Sequence, residues 1–390
     1  MPAICLYLQV HQPYRLRRYT FFDLGFSRQY EDEGLNEEVI HRVTDRSYVP
    51  MAKSLGKLIE ESEGKFKVTF SMTGMAMEQL QQYRPDGMEA FAKLASHKQV
   101  EVLAETYYHS LAGLYDFTEF ERQIKLHRKA VKEHFGRVPK VFRNTELIYS
   151  ERLAQKLKGQ YKGILAEGVN WHLQGGTPNQ LYRVPKSDGL GLLLRNYRLS
   201  DDIAFRFGQG LDAKEFLRRL QDEPGEVVNL YMDWETFGEH HAKDTGIFDF
   251  MEALVRLGVE QKVKFTTPGK VIKQTEKPPK LNIGTTTSWA DEDRDPSAWN
   301  GNDMQRFALK KVYELGKLVR ELDQDKYWNL WGRLQTSDHF YYMSTKRRHD
   351  GQVHAYFNPF TTPYDAYIHY MNVLSDVELR LQEVQKKEKG

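Results

Sequence analysis

The apolar run Val227-Val228-Asn229-Leu230-Tyr231-Met232 breaks abruptly into Asp233-Trp234-Glu235-Thr236-Phe237-Gly238-Glu239-His240-His241. A strand buried on both faces has no use for acids and tandem histidines unless it has reached an open rim. In barrels of parallel strands that rim is where reactive side chains collect. The same design stands upstream, where Val141-Phe142 leads through Arg143-Asn144-Thr145 to Glu146. Arg143 and Asn144 would hold Glu146 ionised, as a nucleophile requires. Met232 and Trp234 would wall Asp233 with apolar surface and raise its pKa, as a proton donor requires. Two carboxylates in contrasting surroundings suit glycoside chemistry, one attacking the anomeric carbon and the other passing the proton. A structural ion pair is the plainer alternative for such acids.

Other polar clusters sit at comparable places. His11-Gln12-Pro13 follows an apolar run, and Glu105 and His109 fall within Ala104-Glu105-Thr106-Tyr107-Tyr108-His109. Each has a structural reading as well, a satisfied buried histidine or a capping glutamate. The histidines also admit a metal site, His240-His241 with Asp233 or His11 with His109. Neither an HxH nor an HExxH spacing occurs around them, and adjacent histidines on a strand point to opposite faces. The expectation is therefore no metal and no cofactor. No phosphate-binding GxxxxGK[ST] loop is present, and Gly189-Leu190-Gly191 is too slight for a dinucleotide site.

Strand-like runs alternate with helical ones. Residues 4–10, 65–70, 100–103, 141–144, 163–166, 191–194 and 227–232 read as strands, each followed at once by polar residues. Residues 47–61, 75–83, 117–135, 151–158 and 214–221 read as helices. Pro50 falls in the first turn of one, and Gly136 closes another. Seven strand–helix units with polar residues always at the same end imply an α/β fold, a (β/α)7 barrel. Residues 264–267 are a possible further strand, cut short by Pro268-Gly269. Residues 274–280 have linker character. Beyond them, residues 303–322, 326–343 and 363–385 carry helical periodicity. The expected division is a barrel over 1–280 and an α-helical domain over 281–390 that contributes to the cleft. Residues 21–38 and 171–180 are expected as loops long enough to cap it.

With 56 basic against 54 acidic residues and no block of one sign, nothing attracts nucleic acid. The single cysteine, Cys5, excludes an intrachain disulfide and thiolate-rich metal sites. No signal peptide is visible and no window reaches the ~18 apolar residues of a membrane span. A cytoplasmic protein is expected.

Taken in order, these motifs resemble glycoside hydrolase family 57. His11-Gln12-Pro13 resembles its first signature, Glu105 to Leu111 the second, and Arg143-Asn144-Thr145-Glu146 the third. Met232-Asp233-Trp234-Glu235-Thr236-Phe237-Gly238 resembles the fourth and Thr287-Ser288-Trp289-Ala290-Asp291-Glu292 the fifth. The resemblance implies that Glu146 is the nucleophile and Asp233 the acid/base. His11, Glu105, His109 and His240 would hold substrate, with Trp171, Trp234 and Trp289 as stacking surfaces and Asp338 facing the cleft. The substrate implied is an α-glucan or maltooligosaccharide. The chain is short for the larger transferases, which favours an intracellular α-amylase type. A 4-α-glucanotransferase, a branching enzyme, a metal-dependent polysaccharide deacetylase and a glucan-binding non-enzyme are the alternatives.

Overall fold

The computed structural model describes residues 1–173, 175–346 and 356–389. Its central element is β1 (Ala3–Val10), whose apolar sequence is buried almost throughout. β1 pairs in parallel with β2 (Val68–Met72) on one side and with β8 (Val227–Asp233) on the other. β2 pairs with β3 (Val100–Val102). A second sheet joins β4 (Val141–Arg143), β5 (Gly163–Glu167) and β7 (Gly191–Arg195), again parallel.

Two seams close these sheets into one ring. At the first, the Ala104 N–H donates to the Val141 carbonyl and the Arg143 N–H to the Ala104 carbonyl, at 3.0 and 2.8 Å. At the second, the Asn196 N–H donates to the Asn229 carbonyl at 2.9 Å, and the Asn229 side-chain amide donates to the Leu194 carbonyl at 2.9 Å. The seven expected strands are the seven of this ring. Aliphatic and aromatic side chains face outward from it into a core shared with helices such as Val49–Glu61 and Ile247–Glu260. That shared burial is what positions the strand ends.

Several local expectations are corrected. β6 (Leu181–Arg183), not expected as a strand, directly follows the stretch 171–180 expected as a loop and pairs antiparallel to β7. β9 (Phe265–Thr266) exists, but pairs only with the foot of β1. The helix Pro85–Ser96 was not expected, although Pro85 at its first position signals it. The helix Glu33–Val43 begins inside the supposed loop over 21–38, capped by the Asp32 side chain. The stretch 326–343, expected as one helix, is two, Asp325–Leu334 and Ser337–Tyr341.

After β9 the chain is mainly helical. Asp303–Leu322 packs along Pro363–Lys389, and Trp299, Trp331 and Phe340 are buried with them. Leu16, Tyr19, Leu111 and Ile148 from the barrel's loops join this cluster, so helices and barrel share packed apolar surface. Among the described residues no helix is long and apolar enough to cross a membrane.

Candidate active site

One cleft opens where the strands' carboxyl ends meet the helical region. Glu146 and Asp233 both line it, with His11, His109, Trp289 and Asp338. His240 forms part of the same wall, with Phe357. Its position depends on the tight turn after β8, where Gly238 adopts φ +105°. A Cβ there would stand 1.9 Å from the Arg46 carbonyl oxygen, so only glycine fits.

Glu146 is fixed from three directions. Its Oε1 accepts from His109 Nε2 at 2.9 Å and from the Ser337 hydroxyl at 3.1 Å. Its Oε2 accepts from the indole Nε1 of Trp289 at 2.7 Å. The Trp289 backbone N–H also donates to the Glu146 carbonyl at 3.2 Å. The Glu146 backbone is left-handed (φ 56°), as are those of Leu147 (φ 50°) and His109 (φ 49°). Non-glycine residues in that region cost about 1–3 kcal/mol each and persist where the surroundings over-determine them. Here the packing of Ile148 and Leu147 and the three donors do so.

Behind this corner lies a layer of buried polar side chains. Glu105 has no exposed surface, and its Oε2 accepts from Gln9 Nε2 at 3.2 Å. It lies 3.6 Å from His109 Nδ1 and 3.9 Å from Arg143 Nη1. Its pKa is lowered, because His109 and Arg143 outweigh burial. The Arg143 guanidinium also stacks over Trp289, 4.9 Å from the ring centre. Burial alone would depress His109, but the neighbouring carboxylates of Glu105 and Glu146 push its pKa up to about 9. The His11 ring stacks on His109 with centres 3.9 Å apart. Burial, then the charge of His109, lowers His11 to about 4. The His11 Nε2 donates to Asp338 Oδ2 at 2.9 Å, and its Nδ1 meets the Thr73 hydroxyl at 3.1 Å.

The other corner is built differently. Asp233 ends β8 in register with Gln9 of β1. Two residues on, the Glu235 carboxyl lines the same cleft, accepting from Tyr48 at 2.5 Å and Gln12 at 3.1 Å. Burial, and then the neighbouring Asp233, raise its pKa to about 8. Burial and its neighbour thus favour the neutral form of Glu235.

Three residues expected to contact substrate are not among those lining the cleft. Glu105 is fully buried, beside His109. Trp234 is fully buried outside the ring, with Phe91 4.7 Å and Phe70 6.0 Å from its ring centre. It follows an inward-facing residue, so its side chain leaves on the opposite side of the rim. Trp171 is 65% exposed and is not among the residues lining the cleft.

Five contributors were not anticipated. Gln9 was detectable, since it shares a strand face with His11 two residues on. Ser337 had no local signal, because only the packing of the helical region brings it to Glu146. Arg195 and Glu167, at the ends of β7 and β5, pair at 3.0 Å. Arg294 joins them at 3.4 Å from Glu167 and donates to the Trp289 carbonyl at 2.6 Å, tying the Trp289 loop to the barrel. Among the described residues, no group of three or more His, Cys, Asp or Glu side chains is arranged to hold a metal ion.

The comparisons agree with this geometry. Residues 5–283 match the model of glycosyl hydrolase family 57. A Methanocaldococcus jannaschii protein provisionally named an alpha-amylase is 40% identical, over 97% of this chain and 85% of its own length. In fold, the chain resembles a Thermotoga maritima alpha-amylase (TM-score 0.66, 14% identity, 96% of this chain and 93% of that one). It also resembles a Thermococcus kodakaraensis branching enzyme (0.67, 12%, 91% and 87%). A 4-alpha-glucanotransferase from Thermococcus litoralis matches at 0.68 and 15% identity, over 87% of this chain, which spans 56% of that longer protein. With the match running from within β1 past β9 and embracing both carboxylates, the chain belongs to glycosyl hydrolase family 57, a family of glycoside hydrolases.

Proposed function

We propose that the protein is a retaining hydrolase of α-1,4-glucans, of the α-amylase type. The observation that carries the reading is the pairing of Glu146, held by three donors, with Asp233 across one cleft. The 40% identity to a provisionally named alpha-amylase over nearly the whole chain favours hydrolysis over transfer.

In this mechanism Glu146 attacks the anomeric carbon while Asp233 gives its proton to the departing glycosidic oxygen. The carbon–oxygen bond breaks, and a glucosyl ester of Glu146 forms with inverted configuration. Asp233, now a carboxylate, takes a proton from an incoming water. The resulting hydroxide equivalent displaces Glu146 and restores the original anomer. The three donors on Glu146 hold its attack geometry. They also stabilise it as a leaving carboxylate in the second step. His11, Asp338 and His240 are placed to hold sugar hydroxyls, and the Trp289 ring to meet a sugar face.

The test is an incubation with maltoheptaose, following product lengths by chromatography and the first-formed anomer by proton NMR. Shorter products in the α configuration are expected. Initial β products would mean inversion, and products longer than the substrate would assign the enzyme to glucan transfer.

A further inference from the structure

His109 stands between two carboxylates, one on each ring nitrogen: Glu146 Oε1 at 2.9 Å from Nε2 and Glu105 Oε2 at 3.6 Å from Nδ1. A doubly protonated ring would point one N–H toward each carboxylate. Glu105 is fully buried, and its Oε1 has no hydrogen-bond partner. A buried carboxylate needs a compensating cation. Two lie against it: Arg143 of β4 and His109 itself. The remaining polar and charged neighbours of the ring come from every surrounding element. Gln9 and the stacked His11 come from the end of β1, and Asp338 reaches His11 from the helical region. Asp233 and Glu235 stand on the far wall of the cleft. The Gln9 amide nitrogen is 3.3 Å from Nδ1, and makes its closer bond to Glu105 at 3.2 Å.

Resting on the reading of Glu146 as nucleophile, we propose that Glu105 is a positioning residue that keeps His109 doubly protonated, so that an imidazolium faces Glu146 throughout the reaction. Glu105 touches neither substrate nor reacting atoms. Its own placement is secured from behind, where its backbone N–H donates to His127 Nδ1 at 3.2 Å. The positive ring lowers the basicity of Glu146, which makes it a better leaving group when the glycosyl ester breaks. It also suppresses the charge on the stacked His11, leaving that ring neutral for hydrogen bonding. The two histidines, adjacent in space, thus divide into one cation and one neutral donor.

The experiment is a ¹⁵N NMR titration of histidine-labelled enzyme, with His109 assigned by the resonance missing in His109→Gln. In the parent, the ring is expected to remain doubly protonated through neutral pH, with a midpoint near 9. In Glu105→Gln the midpoint is expected to fall toward the ordinary value of about 6.5. The alkaline limb of kcat should fall with it, while KM stays within about twofold. A merely structural Glu105 would lower melting temperature and activity but leave the ring's midpoint unmoved, and that result overturns the proposal. So does a neutral His109 in the parent at pH 7, with Nδ1 accepting from Gln9, an outcome that needs no variant to fold. The titration requires no turnover, so it stands or falls separately from the assignment of glucan hydrolysis.

Discussion

The two corners of the cleft hold their carboxylates by opposite means. Glu146 is surrounded by donors from three separate parts of the chain, on a backbone forced into the left-handed region. The Asp233 corner is lined by a second acid, Glu235, kept neutral by burial and by Asp233 itself. In the proposed mechanism the nucleophile needs a fixed direction and a stable negative charge, which converging donors would supply. A proton carrier needs surroundings that do not commit it to one charge state. The contrast lies in the environments, since the two functional groups are the same.

The sharpest way to break this contrast is Glu146→Gln. Turnover of maltooligosaccharides is expected to fall by about 10⁴-fold, roughly 5 kcal/mol of barrier, with the melting temperature retained. Substantial residual kcat would remove Glu146 from the nucleophile's place.

The next effect is on folding. Trp234→Ala empties the aromatic wall outside the Asp233 rim and should cost about 3–5 kcal/mol in denaturant unfolding. A large loss of substrate affinity with stability intact would restore Trp234 as a sugar platform.

Smaller again is Trp289→Phe, which keeps the ring but deletes the indole donor to Glu146 Oε2. A loss of about 1.5–3 kcal/mol of transition-state stabilisation is expected in kcat/KM, the range for hydrogen bonds to charged groups. An unchanged kcat/KM would show that two donors suffice.

The smallest concerns pH. Glu235 titrates near 8 in the fold and near 4.3 when unfolded. Between those values the folded state holds a proton that the unfolded chain has lost, so this group's contribution to stability declines as pH rises from about 4 to 8. Glu235→Gln cannot ionise. Its unfolding free energy relative to the parent should therefore be about 1.4 kcal/mol higher at pH 6 than at pH 5. A difference that does not vary with pH would mean that Glu235 is ionised in the native state.

Much of this was legible because strands that end in acids interrupt a strong apolar pattern. Glu146, Asp233, His11 and His109 each sit at such an interruption, and the seven strands were all visible. Depth was not. Glu105 and His109 are four residues apart on one short segment, yet one faces the cleft and the other lies beneath it. That ordering follows from the left-handed turn at His109, which no hydrophobic period encodes. The burial of Trp234 was hidden for a different reason: the side of the rim on which an aromatic leaves depends on which way its neighbour faces. Ser337 reaches Glu146 from 191 positions away, and only tertiary packing joins them. The antiparallel β6 is three residues long, too short for alternation to show.

The seams of the ring have a consequence for how such an enzyme changes. Glu146 follows β4 and Asp233 ends β8, so the two acids are carried by different sheets. Those sheets meet at two narrow joints, one around Ala104 and one around Asn196 and Asn229. The gap between the acids is thus a property of the joints, and a substitution at Asn229 alters it without touching a reacting group. Lineages of this architecture can widen or narrow their reaction chamber by mending or loosening a joint in the barrel wall, leaving the chemistry where it was.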